Sequence, residues 1–85
     1  MEKLQHIRQK INHIDEKILE LLEERLRLAQ EAFLEKEKQN IPLFQPQREK
    51  DIIENIQKKV NPLHQKEMDK IFKEIIAFCR EHQSL

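Results

Sequence analysis

Apolar residues recur at alternating steps of three and four along the first half of the chain. The stripe consists of Leu4, Ile7, Ile11, Ile14, Ile18, Leu21, Leu28 and Ala32. This spacing places all of them on one face of an α-helix. No proline or glycine interrupts residues 3–38. The pattern therefore predicts a single helix there, roughly 50 Å long at 1.5 Å per residue.

Two shorter helices are predicted after a proline-containing break at residues 41–45. Pro46 suits the first turn of the second helix because its φ is already fixed near the helical value. Asn61 and Pro62 end that helix, and a third is expected over about residues 64–82. Their apolar stripes are Ile52, Ile53, Ile56 and Val60, then Met68, Ile71, Phe72, Ile75, Ile76 and Cys79. With no strand pattern in 85 residues, we predict one all-α domain of three helices.

A charge occupies one position on the long stripe, at Arg25. Burying a guanidinium without an anionic partner is costly, so either another residue or a ligand should pair with it. Lys36 follows eleven residues later and points within about 20° of the same direction. Ala29 and Ala32 lie between the two cations, which predicts a concavity with positive ends. The alternative is that Lys36 is a solvated lysine in a charged helix end.

The length of the first helix also bears on assembly. A compact domain of this size has a radius of gyration of only about 12 Å, so one chain does not cover so long a stripe. We therefore expect a homodimer in which two long helices pack together. Arg8 lies about 25 Å along the helix from Arg25 and roughly 100° around it. Read alone, Arg8 is expected on the surface of its own chain. It approaches Arg25 of another chain only if the two long helices run antiparallel, with the start of one beside the middle of the other.

Composition mainly excludes classes of partner and of binding site. The 16 basic and 16 acidic residues are interleaved and the formal net charge is zero, so no basic face for nucleic acid is expected. No apolar run is long enough to span a bilayer and no signal-peptide pattern opens the chain, so we expect a cytoplasmic protein without membrane contact. The absence of glycine excludes glycine-dependent phosphate loops. The four histidines lack ligand spacing, so no metal site is expected.

Four further residues are candidates with ordinary alternatives. Glu49 in the first turn of the second helix complements the helix dipole. Arg48 beside it is a cation at the positive end of that dipole, which is unfavourable and therefore favours a partner for Arg48. Cys79 is the only cysteine, so no internal disulfide is possible, and a small buried hydrophobe is its simplest role. Gln83 continues the apolar face of the third helix, although a residue so near the end is equally compatible with exposure.

These positions form one register across the three helices. It reads Ile7-Arg8-x-x-Ile11-x-x-Ile14-Asp15-x-x-Ile18-x-x-Leu21-Leu22-x-x-Arg25-x-x-Leu28-Ala29, then Lys36, then Pro46-x-Arg48-Glu49, then Ile75-Ile76-x-x-Cys79-x-x-x-Gln83. The register resembles that of the all-helical (type II) chorismate mutase family. The resemblance runs from Ile7 to Gln83, and its specificity comes from the joint spacing rather than from any single element.

The resemblance implies an intertwined homodimer in which the long helices pair and each active site borrows an arginine. It implies that Arg25 and the partner's Arg8 hold the two carboxylates of chorismate. Lys36 and Gln83 would approach the ether oxygen of the bond that breaks as chorismate rearranges to prephenate. This unimolecular reaction of aromatic amino acid biosynthesis requires no cofactor, metal or nucleophile.

At the other end of the substrate, the resemblance implies that Glu49 accepts from the ring hydroxyl, with Arg48 beside it. The chain departs from the family pattern at two positions. Gln45 stands where an acid is common, and Cys79 stands where a small hydroxyl residue is frequent. A thiol is a weaker donor than a hydroxyl, so we expect Cys79 to line the pocket rather than to bind.

Two other readings remain open at this point. An isochorismate pyruvate-lyase resembles this family closely and uses a similar cationic pocket. A non-catalytic helical dimer, such as an adaptor or a regulatory module, would treat Arg25, Lys36 and Arg48 as ion-paired surface residues.

Overall fold

A computed structural model describes residues 2–84 of the chain. The elements are α1 (Glu2–Gln39), α2 (Pro46–Lys59), a short 3-10 turn (Pro62–His64) and α3 (Gln65–His82). No strand occurs among the described residues. The predicted all-helical architecture is confirmed, and the helix bounds agree with the sequence pattern to within a residue or two.

Asn40 follows α1 at the position that glycine most often occupies after a helix, and this chain contains no glycine. Asn40 has a φ of 57°, in the left-handed region that asparagine tolerates better than most residues. The backbone N–H of Ile41 donates to the carbonyl of Lys36 at 2.9 Å, and that of Asn40 donates to Glu37 at 3.3 Å. Together these bonds make a Schellman motif. It sets the direction in which the chain leaves α1, one turn after Lys36.

The connection between α2 and α3 is held by three side-chain hydrogen bonds. Asn61 caps the 3-10 turn by accepting a hydrogen bond from the backbone N–H of Leu63 at 2.9 Å. The Gln57 amide donates to the carbonyl of Gln65 at 2.8 Å, and the Gln65 amide donates to the carbonyl of Gln57 at 3.5 Å. These bonds satisfy backbone groups that the break between two helices would otherwise leave open, so α2 and α3 form a helical hairpin.

Within this chain α3 packs against both α1 and α2, which do not pack directly against each other among the described residues. Ile76 and Cys79 on α3 are 7% and 3% exposed, and they are the only described hydrophobic residues that are buried. The chain measures 58 × 30 × 16 Å and its radius of gyration is 16.4 Å, well above the roughly 12 Å of a compact domain of this size.

Most of the long apolar stripe on α1 is uncovered. Leu4, Ile7, Ile11, Ile14, Ile18, Leu21 and Leu28 are between 44% and 63% exposed. This agrees with the expectation from helix length, because α3 is too short to follow α1 over its whole length. The N-terminal half of α1 therefore presents a continuous apolar face to solvent.

Candidate active site

A hollow of about 290 Å³, here called the central hollow, lies where the three helices meet. Six of the seven substrate-site residues expected from the sequence line it: Arg25, Lys36, Arg48, Glu49, Cys79 and Gln83. The rest of its lining consists of Leu28, Ala29, Ala32, Leu43, Gln45, Ile52, Ile76 and Arg80. The volume is at the lower end of that found for small-molecule sites, and the walls combine apolar surface with convergent charges.

The wall from α1 carries two cations separated by small side chains. Arg25 and Lys36 share a face of the helix, and Ala29 and Ala32 between them leave room for a ligand. The Lys36 Nζ is 3.5 Å from the carbonyl of Leu43, which is a long hydrogen bond. An ammonium has three donors, so Lys36 retains donors for a further acceptor in the central hollow.

The wall from α2 begins at its N-terminus. Gln45 precedes the helix and makes no side-chain capping hydrogen bond, and it lines the central hollow instead. Glutamine is not a favoured N-cap residue, so the first-turn N–H groups receive no side-chain acceptor from it. The uncapped end adds partial positive charge beside Arg48.

The wall from α3 ends at Gln83, the residue that follows the helix. Its φ and ψ of −74° and −27° remain helical, so it lies on the same face as Cys79 four residues earlier. The Gln30 amide donates to the carbonyl of His82 at 3.3 Å. This bond ties the last turn of α3 to α1 and so helps to position Gln83 opposite the α1 cations.

Four basic residues and one acidic residue line the central hollow. Glu49 forms its ion pair with Arg80, at 2.8 Å. Among the described residues, no salt bridge reaches Arg25, Lys36 or Arg48. Residues 2–84 therefore supply no salt-bridge partner for Arg25, and the arrangement suits a pocket for an anion with more than one negative group.

Arg80 is the charged lining residue that sequence reasoning missed. It follows Cys79 on α3, outside the apolar stripe, and an arginine at such a position is common on exposed helix faces. No spacing in the sequence distinguishes it from a solvated residue. Only the packing of α2 against α3, which places Glu49 in contact with Arg80, shows that Arg80 lines the central hollow.

Arg8 is the one expected site residue that a single chain does not bring to the central hollow. It borders a separate surface depression near the start of α1, with Leu4, Gln5, Gln9 and Asn12. Its distance from Arg25 along the helix is about 25 Å, so only a second copy of the chain could carry Arg8 into this site. That part of the expectation stays a prediction.

Within residues 2–84, no group of three or more histidine, cysteine, aspartate or glutamate side chains is arranged to hold a metal ion. Over the same residues, no helix combines the length and apolarity that crossing a bilayer requires.

Comparison with protein families identifies the class. The family model for chorismate mutase type II matches residues 7–84, so the chain belongs to that family. The match confirms the resemblance drawn from the joint register of the three helices. No curated protein and no solved structure matches the chain at a significant level.

Proposed function

We propose that the protein is a chorismate mutase, which rearranges chorismate to prephenate. The observation that carries the proposal is the set of three cations, Arg25, Lys36 and Arg48, that converge on one hollow and form no salt bridge within residues 2–84. Chorismate is a dianion, and its rearrangement breaks one carbon–oxygen bond as one carbon–carbon bond forms. The enzyme has to hold the compact reactive shape and stabilise the charge that develops on the ether oxygen.

Holding the substrate is assigned to two arginines. Arg25 from one chain and the partner's Arg8 each present a planar guanidinium that matches a carboxylate and sets its orientation. Clamping both carboxylates restricts a flexible molecule to the chair-like reactive conformer. In the most favourable cases positioning of this kind contributes about 7–11 kcal/mol.

Charge stabilisation is assigned to Lys36 and Gln83, which line the central hollow from α1 and α3. Preorganised donors aimed at a developing oxyanion contribute roughly 10²–10³ in rate each. Glu49 accepts from the ring hydroxyl at the opposite end, with Arg48 beside it. The reaction involves no proton transfer to a side chain, so none of these residues acts as an acid or base.

The proposal includes a homodimer. A second copy would cover the exposed stripe of α1 and would bring the partner's Arg8 toward the central hollow. The stripe side chains are roughly half exposed in one chain, so covering them contributes about 1 kcal/mol each. The stripe residues of the two chains together would form a continuous interface between the paired α1 helices.

We expect the protein in solution to have twice the mass of one chain, and Ile14→Asp to shift it toward monomer. Ile14 is 53% exposed near the middle of the stripe, where pairing would bury the new carboxylate without a partner. Light scattering after size exclusion measures the mass. His13→Asp is the control, since it adds the same charge about 100° around α1 from Ile14, on a face that carries neither the stripe nor Arg8. A wild-type monomer, or equal effects of both substitutions, would contradict the proposed interface.

We expect a cyclic dicarboxylate to raise the melting temperature by several degrees more than the same molecule with one carboxylate converted to an amide. A ligand at 100 times its Kd stabilises the folded state by about 2.7 kcal/mol. For a domain of this size about 1 kcal/mol moves the melting temperature by roughly 4–8 °C. Scanning fluorimetry on the dimer compares the two compounds, and equal shifts would count against a clamp for two carboxylates.

The direct test follows the loss of chorismate absorbance with purified protein and identifies the product. Prephenate is the expected product. Isochorismate is offered in parallel, and release of pyruvate from it would identify a lyase on the same scaffold instead. Binding of neither compound by calorimetry would leave only a non-catalytic helical dimer.

A further inference from the structure

The carboxylate of Glu49 is held by one nitrogen of Arg80. The Arg80 Nη1 donates to Glu49 Oε1 at 2.8 Å and to Oε2 at 2.9 Å. The two residues are 31 positions apart and lie on α2 and α3. A carboxylate has about four lone-pair sites. Contact with a single nitrogen therefore fixes the direction in which the Glu49 carboxylate points and still leaves a site on each oxygen for another donor.

Arg80 is restrained from a third direction by the connection between α1 and α2. Its guanidinium carbon lies 5.9 Å from the ring centroid of Phe44, within the range of a cation–π contact. Phe44 is 59% exposed, so its ring is not needed for the core and is free to support Arg80. The arginine thus joins the loop, α2 and α3 at one edge of the central hollow.

Glu49 and Arg80 also separate the central hollow from a second one of about 500 Å³. Both residues line both hollows, together with Ile76. The second hollow offers Lys50 and Lys73 as other cations, and Lys73 is paired with Asp69 at 2.8 Å. Cations therefore lie on both sides of Glu49, and without Arg80 no salt bridge among the described residues would hold its carboxylate in one orientation.

We propose that Arg80 is a positioning residue, which holds the Glu49 carboxylate toward the ring hydroxyl of the substrate. This inference rests on the proposed function. The pair contributes little to stability, because the two side chains are 44% and 29% exposed and such ion pairs are screened. The role of the pair is to orient the Glu49 carboxylate, because a carboxylate displaced by about 1 Å no longer accepts the hydrogen bond from the ring hydroxyl.

The test compares chorismate with an analogue that lacks the ring hydroxyl. We expect Arg80→Met to lower kcat/KM for chorismate about 10-fold and to change that for the analogue less than about 2-fold. Methionine retains an apolar stem for packing. In a Glu49→Gln background the same substitution should have no further effect, because the two residues act as one unit.

Two variants sharpen the comparison. Arg80→Lys should recover part of the loss, because one nitrogen makes the observed contact and an ammonium can replace it at a slightly shorter reach. Arg27→Met is the matched control, since Arg27 is exposed on α1 and lines neither hollow. It should leave both substrates unaffected.

Equal losses with both substrates, or a full effect of Arg80→Met in the Glu49→Gln background, would overturn the positioning role. The same variants are also measured by calorimetric binding of both compounds. Binding without turnover would refute the proposed activity, yet the loss of preference for the hydroxyl would still decide the role of Arg80. If wild-type protein binds neither compound, both proposals fail.

Discussion

Lys36→Ala is expected to lower kcat at least about 10²-fold while the dimer remains folded. Lys36 lines the central hollow near the end of α1, and its ammonium makes only a long hydrogen bond to the Leu43 carbonyl. In the transition state it would meet the negative charge that develops on the ether oxygen. A donor fixed in advance at such a point is worth roughly 10²–10³ in rate. The measurement is the initial rate of chorismate absorbance loss at saturating substrate.

The fold should survive this substitution because alanine is the best helix former and Lys36 buries little apolar surface. Lys38→Ala is the matched control. Lys38 lies in the same last turn of α1, its side chain is 73% exposed, and it pairs with Glu35 at 3.6 Å. The control should retain wild-type turnover. Near wild-type turnover of Lys36→Ala, with the melting temperature unchanged, would remove Lys36 from the mechanism.

A mixture of two inactive variants is expected to recover activity. Arg8→Ala and Lys36→Ala should each fall below about 1% of wild type as homodimers. In a mixed dimer, the chain with Arg8→Ala contributes an intact Lys36, and its partner contributes an intact Arg8 to the same site. One of the two sites is then complete. Random reassortment puts half of the dimers in this mixed form, so about a quarter of wild-type activity should return.

The control mixture combines Arg25→Ala with Lys36→Ala. Both residues line the central hollow of a single chain, so every site in every dimer lacks one of them and no activity should return. The two mixtures are refolded together and assayed under the same conditions. If the first mixture stays inactive although mixed dimers form, Arg8 does not act across the interface. Recovery in the second mixture would mean that Arg25 and Lys36 serve different sites.

The helices, and the side chains that share a face within one helix, could be predicted because helical periodicity carries three-dimensional information along one element. That residues of all three helices line one site was implied by the resemblance to the family. Arg25 and Lys36 point the same way because eleven residues make nearly three full turns. Cys79 and Gln83 share a face because they are four residues apart. Within one helix the relative directions of two side chains follow from their spacing alone.

The pairing of Glu49 with Arg80 could not be predicted in this way. The two residues lie on different helices, and their contact depends on how α2 packs against α3 and on the rotamers that both side chains adopt. From spacing alone Glu49 had a sufficient role as an acid at a helix N-terminus, and Arg80 was an ordinary exposed cation. Phe44 likewise gave no sign that it supports a guanidinium.

The amino-acid order was enough to establish three helices, a stripe too long for one chain to bury, and a charge placed on that stripe. Periodicity and proline positions are local properties of the sequence, so they predict helices without any knowledge of how the helices pack. Whether another side chain pairs with Arg25 is decided by packing, because an ion pair depends on the distance between separate helices. Among residues 2–84 no carboxylate forms a salt bridge with Arg25, and the acid that lines the central hollow, Glu49, is held by Arg80.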